Sequence, residues 1–558
     1  MLRSKTQPEV VILLVLLATL LAAWTGEISA QQAMPNTKYE AIEWLKRERN
    51  TVVRNEKGEV TGIVIDYIPD SFVVGDLKIF EKLEVVKINY TGQFYDRHMS
   101  GIAQLTSLKK FVVDYCDEIS EASLSVLRYI PNLEEIELQN CESIYSLKPL
   151  TECRSLKKIN LTANEHLDFD ALECFQLLPN LESLILNENS TLEDKHLRWI
   201  SQMSGLKHVE LQECSELTDE GLAILAKLPN LQTLDVSQNM KITGETLDQF
   251  PGDKLENLDL EGCGVTDETL AKLAKFKSLK KINLQNNHVL KGTGLSVIGN
   301  FKNLVELDLT GMNATNAHLN GLDGITTLEK VILDDCPEIS SRGLVSLVKS
   351  QGLKRLDLVR CRRIDSDDLE VISKFSNLES LDVEGTRVKP KGLEVLASLK
   401  KLEAFDLSNC NWIDDAAVEK LAKFPALKSL SMYQVPRLTD KSFQSLAKLK
   451  TLELLRVSYN EHITGEGLND FPEDTKLKAL DLAHLPKLKS RSLKNLRRFK
   501  SLEKVKLHVD PLTIDYFQAM HGMPKVKDLI FSSNKSYDKD AYQELIDSLP
   551  NWPHEDEN

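Results

Sequence analysis

Between Val60 and Asn534 one phrase restarts twenty times. It runs apolar, two variable positions, apolar, one variable position, apolar, and then, eight residues from its start, most often asparagine or cysteine. The restarts come every 23 to 25 residues. So regular a period constrains the fold more than any other feature, because a unit of that length cannot bury its own apolar face and must stack on copies of itself. A solenoid follows, with one continuous core and an outer surface whose positions recur at fixed offsets. The 558 residues would otherwise suggest several domains; stacking removes that expectation.

One unit shows how a rung is built. In Leu206–Cys214 the residues Leu206, Val209 and Leu211 point inward while His208, Glu210 and Gln212 alternate outward, the period of a short strand. The chain turns at Cys214 and tucks Leu217 into the core. Thr218 is placed as a helix N-cap, with Asp219 and Glu220 in the first turn, where the helix dipole favours acids. Leu222, Leu225 and Leu228 form the buried stripe of a helix of two to three turns, Pro229-Asn230 stop it, and Leu231 opens the next strand. The same grammar recurs from Ile242, Val265, Leu438 and Ile463.

The eighth position holds Cys116, Cys141, Cys214, Cys263, Cys336, Cys361 and Cys410 in some rungs and Asn164, Asn189, Asn239, Asn287, Asn460 and Asn534 in others. A site that alternates cysteine with asparagine is a buried turn, where a side chain must satisfy backbone groups from inside. Buried thiols are therefore expected. Rung spacing of about 4.8 Å also brings Cys116–Cys141 and Cys336–Cys361 near disulfide range, the lesser expectation. Cys153 and Cys174 lie outside this ladder.

The string LxxLxLxxCxxITDxxLxxL resembles the cysteine-containing subclass of leucine-rich repeats, best known from substrate receptors of ubiquitin ligases. The match covers nearly the whole mature chain. It implies an α/β solenoid: a curved leucine-rich repeat horseshoe with a parallel concave β-sheet, convex helices and about 20 repeats. The segment AIEWLKRERNTVVRNEKGEVTGIVID, Ala41 to Asp66, is similar to the opening segment of secreted bacterial leucine-rich repeat proteins of unknown role. There a helix leads through an Asn/Gly turn, here Asn55 to Gly58, into the first strand and covers the open end of the core. A helix from Asp538 to Leu549, with Tyr542, Leu545 and Leu549 on one side, is expected to close the other end, and an acidic tail follows from Pro550. The organisation read is a signal peptide over 1–30, a capping helix-turn over 31–59, the solenoid over 60–534, and a capping helix with tail over 535–558.

The signal peptide rests on Arg3 and Lys5 ahead of an apolar run from Val10 to Trp24 and on the small-residue exit Ile28-Ser29-Ala30. It implies a secreted or periplasmic protein with no stable membrane span after cleavage; an uncleaved anchor is the alternative. No cysteine follows the run, which argues against lipid anchoring.

No segment reads as a catalytic centre. The eleven histidines are scattered over different offsets, and no HExxH, GxSxG, P-loop or CxxC pattern occurs. No cofactor is implied. The net charge of −15 argues against nucleic acid, whose phosphates want a basic face. What remains is binding, and three surfaces offer it. Four residues after each start, an outward strand position reads Glu210, Asp235, Asp259, Asn283, Asp308, Ile332, Asp357, Asp382, Asp406. This acidic stripe suits a basic partner or calcium, but LDL is also an ordinary spelling of such a strand. Aromatics mark the second surface: Tyr90 and Tyr115 share an outward offset, and Trp412, Tyr433, Arg456 and Tyr459 come from three consecutive rungs at the strand exits. Tyr, Trp and Arg together compose protein hot spots and sugar platforms. The third is basic: Lys487, Lys489, Arg491, Lys494, Arg497, Arg498, Lys500, Lys504 and Lys506 against one acid, Glu503. A solvated outer face is the plain account of it, and attachment to an anionic envelope surface or self-association with the acidic stripe is the functional one.

Five Asn-x-Ser/Thr strings, at Asn89, Asn160, Asn189, Asn313 and Asn534, include two in the buried ladder, where a glycan would not fit. The sequence thus reads as an exported, bacterial-type solenoid that recognises a macromolecule, first of all a protein, by preformed shape. A carbohydrate or envelope-polymer binder is the first alternative. An effector serving as substrate receptor of a ubiquitin ligase is the second, although no F-box precedes the repeats.

Overall fold

In a computed structural model, residues 34–550 are described, except 70, 90–93, 291–292, 313 and 533–538. The segment read as a signal peptide, the tail, Tyr90, Asn313 and Asn534 lie outside the described residues. Among those described, no helix is long and apolar enough to cross a membrane. The chain divides into two compact units, residues 1–156 with 166–168 and residues 157–165 with 169–558.

The first unit opens with helix α1 (Lys38–Arg47), capped by Thr37, whose hydroxyl accepts the Glu40 N–H. Its buried face includes Trp44, stacked on Phe72 with centroids 6.2 Å apart. A strand absent from the sequence reading follows. β1 (Thr51–Arg54) pairs antiparallel with β2 (Val60–Ile65), so the Asn55–Gly58 turn joins two strands rather than a helix to a strand. Gly58 supplies the positive φ, +78°, and the Asn55 side chain accepts the N–H groups of Lys57 and Glu59. The physical reason is edge protection: β1 satisfies backbone groups of β2 that face no earlier rung. Buried Asn50 ties the segment down by accepting from the N–H groups of Asp66 and Tyr67 and donating to the Tyr67 carbonyl. From β2 onward pairing is parallel, with Ile63, Val86, Phe111 and Ile136 in register.

The second unit repeats three-residue strands in the same parallel register, Ile159 on Leu184 on Val209 on Leu234, and continues so to the pairing of Lys504–His508 with Asp528–Ser532. Both units are therefore leucine-rich-repeat solenoid: a parallel strand on one side of each rung, a short helix on the other, leucines between. The Thr218 rung follows the sequence closely, with a helix over Asp219–Leu225 and the Thr218 hydroxyl accepting from Glu220 N–H. Other rungs carry tighter 3-10 turns instead, as at Phe169–Leu177 and Thr293–Asn300.

Three ladders hold rung to rung. The first is the buried turn. Asn189 is fully buried, donates to the carbonyls of Leu161, Leu186 and Asn187 at 3.0, 2.8 and 3.2 Å, and accepts the Asn164 N–H at 2.8 Å. Cys214, in the same place one rung on, gives its Sγ proton to the Leu186 carbonyl at 3.2 Å. All nine cysteines are thiols; burial pushes Cys214, Cys263 and Cys410 up to about 12, so they are inert acids. The second ladder reassigns the acid that follows Thr218 and its counterparts in other rungs. Asp194 accepts both the N–H (2.9 Å) and the hydroxyl (2.6 Å) of Thr218 in the next rung, and Asp219–Thr243, Asp415–Thr439 and Asp440–Thr464 repeat the clamp. The third lies one residue after each opening leucine. There Glu182–Lys207, Glu256–Lys280, Glu329–Lys354, Glu403–Lys428, Glu453–Lys478 and Glu503–Lys527 pair at 2.7 to 2.8 Å.

Candidate functional site at the strand exits

The chain leaves most strands through one residue with left-handed backbone, seven positions after the opening leucine. Glu213, Gln238, Arg360, Tyr459 and His484 have φ of 56°, 61°, 56°, 60° and 54°. This conformation turns the next residue into the buried ladder and leaves the seventh side chain at the surface. Non-glycine residues tolerate it at a cost of about 1 kcal/mol. Whatever occupies this position in successive rungs must therefore form a row.

In the second unit that row carries rings at Tyr459 and His484, and Tyr433 and His508, each one position earlier in its own rung, extend it on either side. Tyr433 and Tyr459 pack with centroids 4.8 Å apart, Tyr459 stacks on His484 at 4.0 Å and 29°, and His484 on His508 at 3.7 Å and 23°. His508 Nδ1 lies 2.6 Å from Ser532 Oγ. The inner rings of this row, Tyr459 and His484, each meet a ring on both sides. With both faces so engaged, a flat sugar platform is not what the row offers at those two residues. Burial, then the neighbouring His508 and Lys506, lower the pKa of His484, opposed by Asp481. The shift favours the neutral imidazole, which can accept or donate a hydrogen bond.

Beside the row runs a cleft of about 530 Å³ whose lining includes Asn411, Gln434, Pro436, Tyr459, Glu461, His484, Pro486, His508, Asp510 and Tyr516. Tyr516 is fixed by its hydroxyl, which donates to the Leu488 carbonyl at 2.7 Å. The sequence named Tyr433 and Tyr459 and the structure brings them together. It missed His484 and His508, although part of the signal was available: His484 repeats the exit offset of Tyr459 in the next rung, while His508 comes one position earlier, at the end of its strand.

The other predicted residues are placed elsewhere. Trp412, 46% exposed, has the Arg437 guanidinium 4.9 Å and Lys389 Nζ 5.6 Å from its ring centroid, and it is not part of the cleft lining. Arg456 sits on the strand face in register with Asp481 and Lys506, its Nε 3.6 Å from the Asp481 carboxylate. Tyr115 holds the left-handed exit position of a rung in the first unit, φ 53°, and is 48% exposed.

The acidic stripe has a structural explanation. The carboxylates of Asp235, Asp259, Asp308, Asp382 and Asp406 each accept the N–H two residues on, at 2.7 to 3.0 Å, and Asn283 does the same at 2.9 Å. These are Asx turns that shape the strand exit. Asp357 is 4% exposed and takes the Arg355 Nε at 2.8 Å. Burial and the adjacent Asp406 push Asp382 up to about 7, and burial pushes Asp259 and Asp334 up to about 6. Asp382, Glu384 and Asp406 have carboxylate oxygens within 4.8 Å of one another. Asp382 and Asp406 make the turn bonds above, and Glu384 accepts from Asn409 Nδ2 at 2.9 Å.

Much of the basic block is engaged too. Arg498 Nη2 donates to the carbonyls of Asn469 and Phe471 at 2.6 and 2.7 Å, closing a helix C-terminus in the rung before. Arg497 binds the Ala519 carbonyl at 3.0 Å, Lys489 and Arg491 share Glu466, and Lys504 pairs with Asp528.

Residues 393–506 match the family model of Zer-1-like leucine-rich repeats. No curated protein matches the chain. Solved structures similar to it include TLR13 in its complex with ssRNA13 (19% identity, 90% of this chain and 70% of that one, TM-score 0.48). A Leptospira interrogans leucine-rich-repeat protein is similar at 17% identity over 94% of this chain and 99% of that one, TM-score 0.37. An internalin from Listeria monocytogenes is similar at 20% over 62% and 87%, TM-score 0.35.

Proposed function

We propose that this chain is a non-catalytic binding protein that recognises a protein partner through the strand-exit loops and strand face of its second unit. Leucine-rich-repeat folds are binding scaffolds, and the groups that could do chemistry here are occupied in structure: thiols in the buried ladder, stripe carboxylates in Asx turns, arginines on helix ends. The observation that carries the reading is the Tyr433–Tyr459–His484–His508 row beside its cleft, where rings on successive rungs stand at an exposed edge that Glu213, Gln238 and Asn409 occupy in other rungs. Such rings supply contact area at low entropic cost. The positive n-region, apolar run and Ala30 at the N-terminus support export. The test is capture from native extract by the wild type and by a Tyr459→Ala/His484→Ala variant. A protein retained by the wild type and lost by the variant is the expected result. Retention of a glycan would favour the envelope-polymer reading, and equal retention by both would move the contact to another face.

A further inference from the structure

We infer that the cleft beside the aromatic row seats an arginine side chain from an extended segment of the partner. The inference rests on the binding reading above and specifies its chemistry. Shape comes first. The lining repeats two offsets on successive rungs, Gln434 with Pro436, Tyr459 with Glu461, and His484 with Pro486, so the cleft runs across the rungs. Rungs about 4.8 Å apart make those three span roughly 10 Å, the reach of three extended residues at about 3.3 Å each. Its prolines have no N–H to offer, and side chains supply the polar groups.

Charge decides what enters. Glu461 and Asp510 line the cleft and no lysine or arginine does. In the same region Glu453 is paired with Lys478, and Glu466 with Lys489 and Arg491. Glu461, exposed at the surface, has no hydrogen bond or ion pair to another described residue. A cation is what this lining lacks. Arginine suits it better than lysine, because a planar, weakly hydrated guanidinium can meet a carboxylate with two parallel bonds while lying against a ring. The molecule makes ring contacts of this kind within itself, Arg437 on Trp412 at 4.9 Å and Arg97 on Tyr95 at 4.3 Å.

The experiment is fluorescence polarisation of the protein with four heptapeptide pools, degenerate except for a central Arg, Lys, Glu or Leu. The Arg pool should bind at least tenfold more tightly than the Glu pool and measurably more tightly than the Lys pool. Glu461→Lys, at an exposed position and checked for an unchanged Tm, should abolish that order. Equal binding of all pools, no binding of any, or a preference that survives Glu461→Lys overturns the inference. Partner capture separates the two claims. Capture that needs Tyr459 and His484 but ignores Glu461→Lys leaves the binding reading standing and sinks the arginine; capture indifferent to all three residues sinks both.

Discussion

Two rows of side chains run along the second unit, and they differ in what their neighbours already ask of them. The acidic stripe, from Glu210 to Asp406, is the more regular in sequence. Its carboxylates are largely spent on the N–H groups of the strand exits, at 2.7 to 3.0 Å. The exit row, from Tyr433 to His508, is short, irregular in residue type, and held by ring contacts alone apart from the His508–Ser532 bond. Regularity at a repeat position is thus a mark of the scaffold, since every rung has the same backbone to satisfy. Departure from the repeat, at a position where the backbone asks nothing of the side chain, is where selection for a partner has room to act.

The comparison breaks first if the exit row is not supported as described. Asn460 lies directly behind Tyr459, donates to the carbonyls of Met432 and Val457 at 2.9 and 2.7 Å, and accepts from Val435 N–H at 2.8 Å. Asn460→Ala strands several buried groups, each costing about 1–3 kcal/mol, and should destabilise the protein by about 3 kcal/mol in a denaturant titration. Asn460→Cys, a residue the same position carries in other rungs, should cost less. Equal losses from the two would mean that volume, rather than hydrogen bonding, sets the ladder.

Partner binding sharpens the contrast. Tyr459→Ala with His484→Ala should weaken the captured complex tenfold or more, about 1.4 kcal/mol, while Asp357→Asn with Asp406→Asn leaves it within twofold. Asparagine keeps the acceptor oxygen used by the turn at Asp406 and by the Arg355 bond at Asp357. A tenfold loss from the asparagine pair, read by surface plasmon resonance, would restore the stripe as a docking surface.

These residues also show what the sequence made legible. The period, the inward leucines, the buried Cys/Asn turn and the Thr218 cap follow from local pattern, because each rung answers to its nearest neighbours alone. Asp219 was legible as a first-turn acid but not as the clamp on Thr243, since the bond is made by a residue 24 positions away and dipole reasoning accounted for the acid already. β1 was hidden because Thr51–Arg54 lies outside the repeat and pairs against its direction. Tyr433 and Tyr459 were found by residue type. His484 and His508 are rings only in the company of their neighbours, which a scatter of histidines in the sequence does not reveal, and Trp412, at a strand exit near Tyr433 and Tyr459 in sequence, is instead covered by Arg437 and Lys389.

A smaller effect tests the stripe by pH. Burial and Asp406 raise Asp382 to about 7, so between its unfolded value near 3.9 and 7 the folded protein binds more protons than the unfolded chain. Stability from this group therefore falls as pH rises through that window. Asp382→Asn keeps the acceptor for Glu384 N–H and removes the charge. It should raise stability at pH 8 by about 1 kcal/mol and change it little at pH 4. A variant less stable than wild type at pH 8 would show that the carboxylate's charge is wanted, as a cation held by Asp382, Glu384 and Asp406 would require.

The smallest effect belongs to the ladder one residue after each opening leucine. Lys354 lies against Glu329 at 2.7 Å, with both side chains nearly half exposed, and Glu329 and Glu379 raise its pKa. Exposed pairs of this kind contribute about 0–1 kcal/mol and fade with salt. Lys354→Ala should cost little at low ionic strength and nothing measurable in 1 M salt. Lys354 stands between Glu329 and Glu379 on the adjoining rungs, so an acid in its place would set three like charges side by side, and like charges opposed on adjacent strands are unfavourable. A charge-swapped Lys354→Glu should therefore cost more than the alanine, with the difference vanishing in salt; if both cost the same at low salt, the ladder is ornament of the surface and the rungs are held by the leucines and the buried turn.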